Sequence, residues 1–130
     1  AIGVAQMKKI DKIIEIKRRN ALFYNKMLQD LDKVEVNQEQ EWAEHVYWMY
    51  SILLKDNYKL KRDELMNKLS EDGIETRPLF YPIHTMPPHK RNETHKVAED
   101  LAPRGLNLPS SAKLKEEDIK LITDLIKKYS

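Results

Sequence analysis

The sequence predicts an α+β domain in which helices cover mainly one face of a small sheet. Apolar residues recur at helical spacing over residues 1–31 and 116–129, and two shorter helical stretches lie between them. Short runs rich in β-branched and aromatic residues separate these stretches. Pro78 falls within one such run, and because proline cannot donate to a strand ladder, that run belongs at a sheet edge. We therefore expect one domain built around a few short strands.

The composition is that of one globular domain, not of a nucleic-acid-binding or membrane protein. The 130 residues suffice for a core, and 23 basic against 21 acidic residues leave a net charge of only +2. No apolar run reaches the ~20 residues of a membrane span, and the first residues lack a signal-peptide pattern. The absence of cysteine excludes disulfides and thiolate sites and is compatible with a cytoplasmic location. The start at Ala1 suggests that an upstream segment was removed.

Residues 1–31 predict one long helix. Its apolar positions recur at steps of three and four, except that Lys17 interrupts the stripe. At 1.5 Å per residue the helix would be roughly 45 Å long, more than a domain of this size can cover. We therefore expect it to link residues 32–130, the α+β unit, to a segment outside the chain. A self-associating coiled coil is the alternative, although fewer than about five heptads are available.

The middle of the chain predicts a βαβ-like or split α+β unit. Residues 34–36 favour a short strand, and residues 42–54 are apolar on both faces, as in a central strand covered on both sides. Residues 61–72 predict a helix that Gly73 ends in the left-handed conformation. An edge strand over residues 74–80 follows.

Three prolines between residues 82 and 88 predict a stiff, extended loop. Residues 93–102 then predict a helix that Pro103 and Gly105 end. A short extended run over residues 106–109 follows this helix.

The last predicted helix, over residues 116–129, has an acidic first turn and a basic last turn. Both match the helix dipole, with negative charge at the N-terminus and positive charge at the C-terminus. Lys115 stands where a Ser or Thr cap is expected, which is a small local defect.

Four residues form the candidate substrate-binding set: Arg77, Phe80, Tyr81 and His84. The Arg77 guanidinium can hold a carboxylate or phosphate in two parallel hydrogen bonds, or it can pair with a neighbouring acid such as Glu75. Phe80 and Tyr81 alternate along the predicted strand, so one is expected in the core and the other against a ligand or interface. His84 can hydrogen-bond a ligand or fasten the loop as a structural residue.

The sequence alone holds no complete catalytic, cofactor-binding or metal-binding constellation. His84, His89 and His95 are too irregularly spaced to be ligands on one helix face. The three glycines form no phosphate loop, and no serine lies in a nucleophile motif. Asn107 and Ser110 can donate to a ligand or serve only their own turn.

Eight segments in order along the chain carry a family resemblance. They are AIGVAQ at 1–6, RRNA at 18–21 followed by Tyr24, HVYWMYS at 45–51, RDEL at 62–65, GIETRP at 73–78, FYPIH at 80–84, NLPS at 107–110 and EEDI at 116–119. Together they resemble the C-terminal part of the DegT/DnrJ/EryC1/StrS aminotransferases, pyridoxal-phosphate enzymes that act on nucleotide-linked keto-sugars. Within that family, residues 77–88 are most similar to the perosamine synthases.

The resemblance implies the small C-terminal domain of a fold-type I aminotransferase, preceded by a long interdomain helix. The lysine that binds pyridoxal phosphate would lie in a larger N-terminal domain, so we expect this chain alone to bind no cofactor and to be inactive. The implied reaction converts a nucleotide-linked 4-keto-6-deoxysugar to the 4-amino sugar, with glutamate as donor, in a cytoplasmic homodimer. Arg77 to His84 would line the active-site mouth.

The alternative from another functional class is a non-catalytic module. Such a module would bind a protein partner through the long amphipathic helix and the exposed strand edge.

Overall fold

The computed structural model describes residues 2–130 and contains five α-helices and a four-stranded sheet within them. The helices are α1 (Ile2–Met7), α2 (Ile10–Leu28), α3 (Arg62–Glu71), α4 (Lys96–Arg104) and α5 (Glu116–Lys128). The strands are β1 (Val34–Val36), β2 (Tyr50–Leu54), β3 (Arg77–Pro78) and β4 (Gly105–Leu108). The predicted α+β class is confirmed.

The sheet has the strand order β1-β2-β4-β3, and each neighbouring pair is antiparallel. Because β2 and β3 both run opposite to β4, they run in the same direction with β4 between them. The chain passes from β2 through α3 to β3, so the predicted split unit is present. Its last strand, β4, fills the central gap and is buried along its whole length.

The two faces of the sheet differ in polarity. Ile52 opposite Leu106 and Tyr50 opposite Leu108 face the core, where α2, α3 and α5 supply the remaining apolar side chains. Successive side chains of a strand point to opposite faces, so Asn107 faces away from the core with its partner Ser51. The core thus lies on one face, and the polar pair Ser51 and Asn107 lies on the other.

The prediction of a single helix over residues 1–31 is wrong, and Ala1 lies outside the described residues. The chain turns at Lys8 and Lys9, where the Lys9 N–H bonds to the Gln6 carbonyl at 2.9 Å and its ψ is near zero. No residue of α1 is buried, so no packing holds the first turns in line with α2. The C-terminal half of α2 does enter the core.

The strand predicted over residues 42–54 is also shorter than expected. Tyr47 has a φ of 45°, in the left-handed region that a strand cannot pass through, and its N–H bonds to His45 Nδ1 at 2.8 Å. Residues 42–49 therefore form a loop. Trp48, which would share a face with Tyr50 if the strand covered residues 42–54, is exposed.

Gly73 ends α3 as predicted. Its φ is 80°, the Ile74 N–H bonds to the Leu69 carbonyl at 2.8 Å, and the Gly73 N–H bonds to the Ser70 carbonyl at 3.0 Å. These two bonds form a Schellman motif. The predicted strand over residues 74–80 is reduced to Arg77–Pro78, because Pro78 has no N–H for the ladder.

The loop that follows curls where an extended course was predicted. Two 3₁₀ turns, Ile83–Thr85 and Pro87–His89, occupy it, since the fixed φ of proline suits a 3₁₀ turn as well as an extended chain. Helix α4 begins at Lys96, three residues later than predicted. Pro103, predicted to end it, lies in its last turn, where the fixed φ of proline remains helical.

The missing cap at Lys115 is compensated locally. The Lys115 N–H donates to the Asp118 carboxylate at 2.9 Å, so one of the free N–H groups at the start of α5 is satisfied.

Candidate functional site

The candidate site is the edge of the sheet at β3, where Arg77 lies beside an open cavity of about 510 Å³. Its lining includes Ile74, Arg77, Asn107, Pro109, Ser110 and Ile122. The Arg77 guanidinium donates to the Glu75 carboxylate, and both side chains are exposed. The ion pair considered from the sequence is therefore present, and because it is exposed it contributes little to stability. The role of Arg77 in holding a ligand anion stays a prediction.

Asn107 joins three strands at the back of this cavity. Its Nδ2 donates to the Pro78 carbonyl at 3.0 Å, and its Oδ1 accepts from the Ser51 hydroxyl at 2.6 Å. The side chain is buried, so these bonds replace water and fix β3 against β4. Asn107 thus has a structural task beyond simple turn chemistry.

Phe80 and Tyr81 are both exposed, with 73% and 60% of their surface accessible. The prediction that one of them enters the core is wrong, because the strand ends at Pro78 and no longer enforces alternation. Phe80 stacks on Trp48, which is 68% exposed; their ring centroids are 6.4 Å apart and the planes are inclined by 20°. The two rings form an apolar surface that extends from β3 to the loop before β2.

His84 fastens the Pro-rich loop to α4. Its Nε2 lies 2.8 Å from Glu99 Oε1, its ring meets that of His95 edge-on at 4.6 Å, and its side chain is only 10% exposed. The same Glu99 oxygen accepts a hydrogen bond from the His95 backbone N–H. Both contacts lower the pKa of Glu99 below its ordinary value, the bond from His95 more than the one with His84. The loop-fastening interpretation fits this geometry, whereas ligand binding by His84 stays a prediction.

A second cavity, of about 460 Å³, adjoins His84 and His95 and is also lined by His89, Arg91 and Glu93. All three histidines named from the sequence therefore lie around one space. Among residues 2–130, no group of three or more histidines and carboxylates has an arrangement that can hold a metal ion.

Lys17 and Arg18 of α2 were not named as site residues from the sequence. The Lys17 ammonium donates to the carbonyls of Trp48 at 2.9 Å and Ser110 at 2.8 Å, and burial lowers the pKa of Lys17. Arg18 donates to the His45 carbonyl at 2.6 Å and to Glu39 at 3.0 Å. The one available signal was the position of Lys17 on the apolar stripe of the helix.

The residues that line the sheet-edge cavity do not fit resident pyridoxal phosphate. Within residues 2–130, no lysine lines this cavity. The ammonium of Lys17 donates to the carbonyl of Ser110, which does line the cavity, and to the carbonyl of Trp48. The edge cavity therefore offers an arginine and hydrogen-bonding groups, but no lysine side chain that could bond the cofactor covalently.

A protein-family model, the DegT/DnrJ/EryC1/StrS aminotransferase family, matches residues 1–127. GDP-perosamine synthase from Escherichia coli O157:H7 is 42% identical over 130 residues, covering 99% of this chain and 35% of the relative. GDP-perosamine synthase from Vibrio cholerae is 39% identical over 132 residues, covering 99% of this chain and 36% of the relative.

Among solved structures, the crystal structure of DesI in the presence of its TDP-sugar product matches with a TM-score of 0.89 at 25% identity. The match covers 97% of this chain and 33% of the DesI chain. The chain thus spans about a third of the length of the proteins it matches. No helix within residues 2–130 is long and apolar enough to cross a membrane. The match over residues 1–127, together with relatives at 42% and 39% identity, shows that the chain belongs to the DegT/DnrJ/EryC1/StrS aminotransferase family.

Proposed function

We propose that this chain is the small C-terminal domain of a pyridoxal-phosphate-dependent sugar aminotransferase. The full-length enzyme converts a nucleotide-linked 4-keto-6-deoxysugar to the 4-amino sugar, as a perosamine synthase does, with glutamate as the amino donor. The observation that carries this proposal is 42% identity to a GDP-perosamine synthase over nearly the whole chain. The relatives are about three times as long, which leaves room for a separate cofactor domain.

In this proposal the chemistry is divided between two parts of the enzyme. Pyridoxal phosphate, when bound to the larger part, supplies the electron sink for amino transfer. The present chain contributes binding and orientation, because its sheet-edge cavity contains an arginine and hydrogen-bonding groups but no lysine. By itself the chain is inactive.

Arg77 is the proposed anion contact. Its guanidinium is exposed, and Glu75 is its one ion-pair partner within residues 2–130. It can therefore exchange that carboxylate for one on a ligand without leaving a buried charge unpaired. The carboxylates of glutamate and the diphosphate of a nucleotide sugar both match its planar fork. Phe80 and Tyr81, three and four residues further along the chain, offer exposed rings, and His84 holds their loop to α4.

We also propose that the full-length enzyme is a cytoplasmic homodimer, as the family resemblance implies. The exposed apolar residues of α1, which are Ile2, Val4 and Met7, support a further packing partner for this helix.

The direct test is turnover by the full-length enzyme. With pyridoxal phosphate, glutamate and GDP-4-keto-6-deoxymannose, we expect the 4-amino sugar and 2-oxoglutarate to accumulate in equal amounts, measured by mass spectrometry. Replacing glutamate by glutamine, or GDP by dTDP on the sugar, tests the donor and the nucleotide separately. No transfer from any donor to any keto-sugar nucleotide would contradict the proposal and favour the interaction module instead.

A further inference from the structure

Lys17 connects two loops that are far apart in the sequence. Its ammonium donates to the Trp48 carbonyl at 2.9 Å and the Ser110 carbonyl at 2.8 Å, across separations of 31 and 93 residues. No carboxylate among residues 2–130 lies within 4.0 Å of this ammonium. Its charge is therefore directed at main-chain oxygens, where a hydrogen bond from a charged group is stronger than one from a neutral group.

Neighbouring side chains of α2 also bind these two loops, but each of them binds only one loop. Arg18 donates to the first loop, at the His45 carbonyl. Asn20 and Tyr24 donate to the second, at the carbonyls of Ser111 (3.4 Å) and Pro109 (3.0 Å). Each of these side chains contacts one loop, whereas Lys17 contacts both. Lys17 thus fixes the loops relative to each other as well as to the helix.

Both loops reach the candidate site, since Met49 at the end of the first loop and Ser110 in the second line the cavity that contains Arg77. The first carries Trp48, whose ring stacks on Phe80 beyond the edge strand. The second places Ser110 in the lining of the cavity that also contains Arg77. Lys17 binds the carbonyls of Trp48, next to Met49, and of Ser110, so it joins the two parts of the chain that line this cavity.

We infer that Lys17 is a positioning residue of the aminotransferase, which holds the Trp48 loop and the Ser110 loop at the spacing that the nucleotide-sugar substrate requires. This inference rests on the proposed function. Lys17 acts through the main chain, since two of its three ammonium hydrogens are donated to the two carbonyls. It also explains why a lysine interrupts the apolar stripe of α2, where an apolar side chain would continue the helical pattern.

The experiment compares Lys17→Met with wild type in the full-length enzyme by hydrogen exchange and by steady-state kinetics. Methionine keeps the length of the side chain and removes the charged donor. We expect faster amide exchange in residues 45–50 and 109–112 and unchanged exchange in residues 119–126 of the core. We expect KM for the nucleotide sugar to rise about tenfold while kcat stays within about twofold. This is the pattern expected when the lost interactions stabilise the bound substrate and the transition state equally.

Two further variants complete the test. Lys17→Arg keeps a charged, multiple donor and should return KM to within about threefold of wild type. Lys26→Met removes an exposed lysine from the same helix and should change neither exchange nor kinetics.

Exchange unchanged in both loops, or raised equally in residues 119–126, would overturn the inference, as would a fall in kcat at constant KM. A wild-type enzyme without transaminase activity would instead refute the proposed function, and the exchange pattern would still report whether Lys17 holds the loops.

Discussion

The buried face of the sheet and the Pro-rich segment of residues 79–95 are built by different forces. Ile52 and Leu106 on the buried face are fully enclosed by apolar side chains from three helices. In the Pro-rich segment the aromatic residues are exposed, and the backbone is held by a few polar contacts such as that between His84 and Glu99. The first region is fixed by burial of apolar area, the second by specific hydrogen bonds, so mutations should affect stability in one and function in the other.

The largest expected effect is on the buried face. Ile52→Ala removes a fully enclosed side chain from a central strand, and we expect it to lower the free energy of unfolding by about 2–5 kcal/mol. Phe80→Ala, the matched change in the exposed region, should cost less than about 1 kcal/mol. Urea denaturation followed by circular dichroism measures both, and equal losses would remove the distinction between the regions.

Gly105→Ala tests the junction between the two regions. A Cβ at this position would overlap the Leu79 side chain and lie 2.9 Å from Leu53 Cδ2. Leu79 directly precedes Phe80, so its displacement should loosen the Pro-rich segment as well as cost about 1–3 kcal/mol of stability. Thermal unfolding and near-ultraviolet circular dichroism of the aromatic residues provide the measurement. A wild-type melting temperature would mean that Leu79 moves aside freely.

Arg77→Ala should alter function with little effect on stability. In the full-length enzyme we expect kcat/KM to fall about tenfold or more through KM, kcat or both, because a charged, forked donor is lost. The urea midpoint should not change, since the Glu75 pair is exposed. Glu75→Gln is the control that frees the arginine. Unchanged kinetics in Arg77→Ala would reduce Arg77 to a surface ion pair.

The smallest expected effect is a pH dependence at Glu99. Its hydrogen bonds from the His95 N–H and His84 hold its folded pKa below the ordinary value of 4.5. The carboxylate therefore stabilises the fold fully above the unfolded pKa, and this contribution is lost as the pH falls through the lower folded pKa. In wild type, the protection of amides in residues 83–96, measured as the observed exchange rate relative to the intrinsic rate at each pH, should fall as the pH is lowered below about 4.5. Glu99→Gln should abolish that transition; a transition that persists in the variant would assign it to another group.

The same division explains what the sequence could predict. Helix α5 and the Gly73 stop followed from apolar spacing and from the glycine conformation, which are local properties. The loop over residues 42–49 did not follow, because its apolar residues fit a strand and the positive φ of Tyr47 arises from a local bond to His45. The break at Lys8 and Lys9 before α2 did not follow either, because the apolar spacing continues through α1, although no residue of α1 is buried.

The candidate site was predictable only in part. The Arg77 edge and the Pro-rich segment were identified from residue types, whereas the partners of His84 and Lys17 lie 15 to 93 residues away. Such long-range hydrogen bonds leave no periodic pattern. Lys17 left a single trace, as a charged residue within an apolar stripe.

The most direct test of the central claim, that this chain supports the site but does not hold the cofactor, is to locate pyridoxal phosphate in the full-length enzyme. Borohydride reduction of the loaded enzyme fixes the cofactor to its lysine, and peptide mass spectrometry identifies that residue. We expect one stoichiometric label, on a lysine outside these 130 residues. A stoichiometric label on any lysine within them would contradict the claim.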